Sequence, residues 1–97
     1  MKGHILISNA TMILPKGAVN GDLRIRDGVI SEIETNSRLA KQDDEDYIDA
    51  EGLFLLPGII DPQCHFRDPG QPEKEDLGSG SAAAVSGGVT SFLDMPN

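Results

Sequence analysis

Disulfide chemistry is almost absent from this sequence, because Cys64 is the only cysteine among 97 residues. A single cysteine excludes an intramolecular disulfide framework and fits a reducing compartment, so we expect a cytoplasmic protein. Basic residues are also scarce, since eight Lys and Arg stand against sixteen Asp and Glu and the net charge is −8. This balance argues against a protein that binds nucleic acid or anionic membranes.

The sequence also lacks an apolar run long enough to cross a membrane. Its first fourteen residues contain apolar side chains, but Ser8, Asn9 and Thr11 interrupt them well short of a signal-peptide core or a membrane span. We therefore expect no targeting segment and no membrane-embedded part. The length leaves room for one complete small domain and disfavours a second.

The first half of the chain predicts short strands separated by turns. Two apolar runs, residues 5–7 and 12–14, come first and are closed by a turn at residues 15–17. Apolar and polar residues then alternate over residues 22–34, and Asp27-Gly28 stands where a tight hairpin requires positive φ. We expect a β-hairpin centred on this dipeptide.

A polar stretch without period follows at residues 35–46 and predicts a loop. The acidic block at residues 43–46 is interpreted as a solvated part of this loop, with a cation site as the alternative. Residues 47–50 resume a strand, which a turn at Glu51-Gly52 ends. Residues 1–52 are therefore predicted to form a small N-terminal β domain of β-sandwich-type strands.

The second half changes character at Leu53. The nearly continuous apolar run of residues 53–61 is too short for a membrane helix and is typical of a strand buried on both faces of a parallel sheet. Residues 77–86 are rich in alanine and predict a helix that Gly87-Gly88 ends. Residues 89–95 predict a second strand, which gives a right-handed β-loop-α-β unit.

This unit poses a burial problem. Two parallel strands and one helix cannot cover the apolar side chains of residues 53–97 on both faces without neighbouring strands. We infer that a larger protein or a partner chain supplies these neighbours. A complete small α+β domain with a mixed sheet is the alternative.

The residues most suited to chemistry follow the buried strand directly. Asp61, Gln63 and His65 occur at alternate positions, so an extended backbone would direct all three side chains to one side. Residues at the carboxyl end of a strand line the active site in α/β folds. Two histidines at this spacing would form a compact metal-binding pair, and this sequence supplies one of the two.

Residues 57–70, PGIIDPQCHFRDPG, resemble the first metal-binding motif of the amidohydrolase superfamily, a D-x-H-x-H pattern that ends barrel strand one. The HFRDPG stretch, with DMPN at residues 94–97, makes the sequence similar to dihydroorotase and its near relatives. The strand-rich first half is also typical of these enzymes, so the resemblance covers essentially the whole chain but only the opening part of a family member.

The resemblance implies an α/β fold in which the small β domain, residues 1–52, precedes the first β-α-β unit of a truncated (β/α)₈ TIM barrel, residues 53–97. It implies a zinc-dependent cyclic amide hydrolase that interconverts dihydroorotate and carbamoyl aspartate in pyrimidine biosynthesis. By this resemblance His65 corresponds to a metal ligand, Arg67 and, in the DMPN stretch, Asn97 to substrate-binding residues, and Asp61 to a residue that supports the metal site without binding the metal. The resemblance also implies a homo-oligomer.

Gln63 departs from the family pattern, since it stands at the position of the other histidine ligand. A neutral amide oxygen binds zinc far more weakly than imidazole. No catalytic residue is predicted within this chain, and the other elements of such a site would lie beyond Asn97. By itself, the chain is expected to be inactive.

Three functional hypotheses remain. The parent protein is an active dihydroorotase, or an inactive homologue that serves as a structural partner, for example of aspartate transcarbamoylase, or a related allantoinase or dihydropyrimidinase. Cys64 falls between the predicted inward positions, so it is expected to pack as a small apolar group rather than act as a nucleophile. His4 is assigned no role.

Overall fold

A computed structural model describes residues 3–96, which divide into two compact units, the first ending at Leu56 and the second beginning at Pro57. The first unit contains five strands, which are β1 (Ile5–Leu14), β2 (Gly17–Arg26), β3 (Val29–Glu34), β4 (Asp46–Asp49) and β5 (Phe54–Leu55). The second contains β6 (Ile59–Cys64), α1 (Leu77–Ser86) and β7 (Val89–Asp94). No helix within residues 3–96 has both the length and the apolar character that a membrane span requires.

The five strands of the first unit form one sheet with β1 at its centre. The order is β3-β2-β1-β4, and β5 also pairs with β1. β2 and β3 are antiparallel to their neighbours, whereas β4 and β5 run parallel to β1. The described strands of the first unit all belong to this one sheet, so the sandwich stays a prediction.

β1 corrects the prediction of two short strands at its position. Residues 5–14 form one ten-residue strand, which is irregular between Ile7 and Ala10, where the register with β2 shifts. Asn9 adopts φ of 63° at this irregularity, and its N–H donates to the Asp22 carboxylate over 3.0 Å. The polar residues that interrupt the apolar pattern thus form a bulge within a single strand.

The predicted hairpin is confirmed. β2 ends at Arg26 and β3 begins at Val29, and the two residues between them, Asp27 and Gly28, have φ of 53° and 77°. Positive φ at both positions characterises the tight turn whose twist matches the flanking strands.

The core of the first unit is small and apolar. Four residues form it, namely Ala10, Met12, Leu23 and Ala50, and five partly buried apolar side chains pack around them: Ile7, Leu14, Val19, Ile25 and Leu55. Leu6 is also fully buried. Alternation along β1 directs Leu6 to the opposite face from Ile7, so the sheet buries side chains on both faces.

The loop after β3 is held to the sheet by two buried charged residues of β2. The Asp22 carboxylate accepts the N–H of Leu39 at 2.8 Å, and the Arg24 guanidinium donates to the carbonyl of Ala40 at 2.6 Å. Arg24 lies opposite Leu6 in the register, on the face that Leu6 also occupies. The predicted loop is therefore present, and it covers that face.

The acidic block at residues 43–46 is not simply solvated, which corrects the sequence interpretation. The Glu45 carboxylate is fully buried and accepts two hydrogen bonds from Arg24, at 2.6 and 3.2 Å. Asp44 pairs with Arg26 at 2.6 Å. A buried carboxylate requires such a partner because the loss of hydration is otherwise too costly. These partners lie far apart in sequence, so composition alone does not reveal them.

The second unit is a β-loop-α-β unit, as predicted. β6 and β7 run parallel as a two-stranded sheet, with α1 between them in sequence. The helix has the predicted bounds, begins after the Asp76 N-cap and ends at Gly87, followed by Gly88 with φ of 94°. Apolar side chains of both strands remain exposed, including Ile59, Ile60 and Leu93.

The apolar run at residues 53–61 does not form one strand. Phe54 and Leu55 pair with β1 in the first sheet, whereas Ile59 begins β6 in the second sheet. Pro57 lies between them, and proline cannot donate a ladder hydrogen bond. The division into two units falls after Leu56. Most of the run is also exposed rather than buried among residues 3–96, and the barrel beyond the first β-α-β unit stays a prediction.

Candidate functional site

The candidate site is built from the carboxyl ends of β6 and β7. The predicted residues Asp61 and Gln63 lie in β6, and His65 and Arg67 follow in the loop after it. The backbone N–H of Met95 donates to the carbonyl of Cys64 at 2.8 Å, which extends the strand pairing to this point. Asn97 lies outside the described residues, so its predicted role is not tested.

The register between the two strands is irregular within the site. Asp61 pairs with Phe92 and Cys64 pairs with Asp94, so three steps along β6 match two steps along β7. Strict alternation therefore does not continue from Asp61 to His65. The convergence of Asp61, Gln63 and His65 on one side, which rests on that alternation, stays a prediction.

The side chains of His65 and Arg67 are exposed. Within residues 3–96 the Arg67 guanidinium forms no ion pair. The Arg67 carbonyl accepts the N–H of Gln71 at 2.6 Å, which closes the turn that follows. Arg67 thus presents a guanidinium fork to solvent, a geometry suited to a carboxylate.

Phe66, between these two residues, is held by the second strand. Its ring meets that of Phe92 edge to face at a centroid distance of 4.7 Å, and its N–H donates to the Asp94 carboxylate at 3.1 Å. Gly80 of α1 is buried against this ring, because a Cβ added there would lie 3.0 Å from Cδ1 of Phe66. A half-buried residue that contacts both β7 and α1 therefore separates the two exposed candidates.

A depression of about 490 Å³ lies at the same end of the unit. Among residues 3–96 it is lined by Pro69, Gly70, Asp94, Met95 and Pro96, and it is open to solvent. The loop after β6 and the end of β7 therefore jointly form its walls, as expected at the carboxyl ends of parallel strands.

Cys64 is unsuited to nucleophilic chemistry. Burial raises the pKa of its thiol, and the nearby carboxylates of Asp61 and Asp94 raise it further. Its Sγ lies 3.7 Å from the carbonyl oxygen of Leu93. A thiol that stays protonated is a poor nucleophile and a poor metal ligand.

The donor set of the described residues does not fit a complete metal centre. Within residues 3–96, no group of three or more His, Cys, Asp and Glu side chains is arranged to hold a metal ion. Catalytic zinc sites use three protein ligands and an open position. His65 is a suitable single ligand, but Gln63 and Asp61 do not complete such a set with it.

Two groups escaped the sequence analysis. Asp94 belongs to the DMPN stretch but was not assigned a role, and His4 was given none. The His4 ring lies between two carboxylates, with Nε2 2.9 Å from Asp27 and Nδ1 3.1 Å from Asp44. The acidic block and the hairpin turn were both visible in the sequence, but nothing local indicated that His4 lies between them.

No family model matches the chain. Comparison with curated proteins finds the dihydroorotase of Acetivibrio thermocellus at 41% identity over 95 residues, which are 96% of this chain and 22% of that protein. The dihydroorotase of Carboxydothermus hydrogenoformans is 44% identical over 95 residues, with 96% and 21% covered. The chain thus spans about a fifth of the length of the relatives it matches.

Solved structures agree in fold. A D-hydantoinase superposes with a TM-score of 0.79 at 34% identity, over 94% of this chain and 20% of that one. The L-hydantoinase (dihydropyrimidinase) of Arthrobacter aurescens gives a TM-score of 0.73 at 27% identity, over 95% and 20%. Both similarities cover the first sheet and the β-α-β unit together.

Proposed function

Because the chain corresponds to an N-terminal portion of dihydroorotase-family proteins, we propose that the protein carrying it is a cyclic amide hydrolase acting on dihydroorotate and carbamoyl aspartate. The exposed guanidinium of Arg67, at the carboxyl end of β6, is the observation that carries the proposal. Both compounds carry carboxylates, and a guanidinium binds a carboxylate in two-point geometry.

In this proposal Arg67 binds the substrate carboxylate and Asn97 supplies a second contact. His65 is a metal ligand and Asp61 supports it, with zinc as the metal implied by the family resemblance. The remaining ligands would have to come from outside residues 3–96, since these residues do not form a metal-binding group. The 97-residue chain alone is not proposed to be active.

The first experiment measures dihydroorotate hydrolysis and zinc content of the natural full-length protein that carries these residues. The variant Arg67→Met is expected to raise KM by about 10- to 100-fold, the loss expected for a hydrogen bond to a charged group. Arg67→Lys keeps the charge but not the planar fork of donors, so its KM should lie between those of the wild type and Arg67→Met. An unchanged KM in Arg67→Met would contradict the assignment.

A second candidate is a catalytically inactive homologue that acts as a structural partner, for example of aspartate transcarbamoylase. Gln63, at a position where the family has a metal histidine, favours it. Restoring Gln63→His should raise zinc content in the full-length protein if the other ligands are present there. Zinc content that does not rise, in a protein with those ligands, would count against the ligand position of residue 63.

Allantoinase or dihydropyrimidinase activity is the third hypothesis. The structural neighbours named hydantoinase support this broader class of ring opening. The identities of 41% and 44% with dihydroorotases exceed the 27% and 34% with the two hydantoinases, and this difference favours dihydroorotate. Hydantoin and dihydrouracil in the same assay separate these alternatives.

A further inference from the structure

The residues on either side of His65 each form a hydrogen bond with the end of β7, one as acceptor and the other as donor. The carbonyl of the preceding residue, Cys64, accepts the N–H of Met95 at 2.8 Å. The N–H of the following residue, Phe66, donates to Oδ1 of Asp94 at 3.1 Å. The backbone on both sides of the candidate ligand is therefore tied to two consecutive residues at the end of β7.

We propose that Asp94 is a positioning residue, whose carboxylate holds the peptide group of Phe66 and thereby sets the directions of His65 and Arg67. The inference rests on the proposed function for its link to substrate. Asp94 acts here through the backbone and is not assigned a contact with substrate or metal.

The carboxylate suits this task for two reasons. It only accepts hydrogen bonds when ionised, so it matches the one backbone donor it faces, and a charged acceptor binds an N–H more strongly than a neutral one. The register already places Asp94 opposite Cys64, so its side chain needs to reach only two residues further along the facing segment.

The Phe66 side chain reinforces the same restraint. Its ring contacts Phe92, two residues before Asp94 on β7, and it packs against Gly80 of α1. Both the ring and the N–H of one residue are thus held by one strand. Because His65 and Arg67 adjoin this fixed residue on either side, loss of the N–H contact would loosen both.

The test compares Asp94→Ala with Asp94→Asn in the natural full-length protein. Asparagine keeps a side-chain oxygen that can accept the Phe66 N–H, whereas alanine does not. In Asp94→Ala, hydrogen exchange at the Phe66 amide should accelerate about tenfold and KM for dihydroorotate should rise about tenfold, the size expected for one hydrogen bond. Asp94→Asn should restore both to within about threefold.

Asp76→Ala is the matched control. Its carboxylate also accepts one backbone N–H, that of Ser79 at 2.7 Å, but at the start of α1. Asp76→Ala should destabilise the helix without changing hydrogen exchange at the Phe66 amide or KM for dihydroorotate. Equal exchange in Asp94→Ala and wild type, or an unchanged KM in an active enzyme, would overturn the proposal.

The exchange measurement separates this inference from the proposed function. If the wild-type protein does not hydrolyse dihydroorotate, the proposed function fails, and exchange at Phe66 alone decides whether Asp94 restrains the backbone. If Asp94→Asn is as impaired as Asp94→Ala, the negative charge itself is required and the positioning role is wrong.

Discussion

The first unit buries charged as well as apolar side chains, whereas within residues 57–96 of the second unit only Gly80 is buried. Both units present strands, but they are stabilised differently. The first unit closes its sheet on one face with an apolar cluster and on the other with a loop tied down by Arg24 and Asp22. The second relies on strand pairing and one helix, and it leaves apolar surface such as Ile60 and Leu93 exposed.

This difference indicates which substitutions should destabilise each unit. A small apolar cluster supplies limited stability, so in the first unit the loss of one partner of a buried charge pair should be costly. The second unit carries the candidate site but has little interior of its own. Its geometry depends on a few close contacts between strands and helix, and exposed apolar area of this kind is characteristic of surfaces that other protein covers.

The largest expected effect concerns the buried ion pair. Arg24→Leu removes both hydrogen bonds that the fully buried Glu45 carboxylate accepts from the Arg24 guanidinium and leaves Arg26, at 3.6 Å, as its cationic neighbour. The free energy of unfolding should therefore fall by on the order of 3 kcal/mol. Urea denaturation followed by Tyr47 fluorescence measures this, since Tyr47 is the only tyrosine, the chain has no tryptophan, and Tyr47 lies in β4.

The control is Arg38→Leu, whose guanidinium is two-thirds exposed and lies 4.0 Å from Asp22. The Asp22 carboxylate is buried but already accepts the N–H groups of Asn9 and Leu39, and the Arg38 guanidinium is largely solvated, so the effect should stay below about 1 kcal/mol. An equal loss of unfolding free energy in Arg24→Leu and Arg38→Leu would show that the buried Arg24–Glu45 pair stabilises the first unit no more than the Arg38–Asp22 pair does.

A smaller effect is expected in the second unit, at the start of its first strand. A Cβ added to Gly58 would collide with Thr90, lying 2.6 Å from Cγ2 and closer still to Oγ1, so Gly58→Ala should force the strands apart. We expect a loss of about 2 kcal/mol, in the range of overpacked positions. Loss of ellipticity at 222 nm on heating reports it, because α1 is the one helix among the described residues.

Gly78→Ala serves as the control for that experiment. An added Cβ there meets only Oδ1 of Asp76, at 3.4 Å, and alanine favours the helix. Its melting temperature should equal or exceed that of the wild type. If Gly58→Ala melts like Gly78→Ala, the close approach between β6 and β7 is not required.

The smallest expected effect is a loss of stability of the first unit at acidic pH. A hydrogen bond from Arg26 lowers the pKa of Asp44 to about 2, and one from Arg24 lowers the pKa of Glu45 below its usual 4.5. Carboxylates with depressed pKa values stabilise the fold fully above their unfolded pKa, and this stabilisation is lost as pH falls through the folded pKa. The urea concentration at the unfolding midpoint should therefore fall as the pH is lowered from about 4.5 towards 2.

Asp44→Asn should reduce this decline. Asp43→Asn is the matched control, since Asp43 has no ion pair in the part of the chain that the structure describes. A decline of equal size in Asp44→Asn and wild type would show that the Asp44–Arg26 pair does not contribute to acid sensitivity.

Local signals in the sequence predicted the most accurate parts of the fold. The Asp27-Gly28 turn requires positive φ at both residues, and the helix at Leu77–Ser86 is delimited by its composition and by the following glycines. In each case the determining residues adjoin the element they define. Elements set by neighbours in sequence can therefore be predicted from sequence alone.

Long-range pairings account for what the sequence did not predict. The burial of Glu45 depends on Arg24, 21 residues away, and the division of the apolar run depends on which strand pairs with β1. In the candidate site, alternation predicted that Asp61, Gln63 and His65 share one side, but the register shift is a property of two strands together. The residues were visible, but their relative placement was not.

The central position of β1 also affects how the chain matures during synthesis. One edge of β1 can pair with β2 as soon as the adjacent hairpin exists, but its other edge is completed by residues 46–49 and 54–55. The ribosome delivers these about forty residues after β1, so β1 is among the last strands of its sheet to be fully paired. Until then the unpaired edge of β1 offers its backbone donors and acceptors to any other strand, including that of another nascent chain.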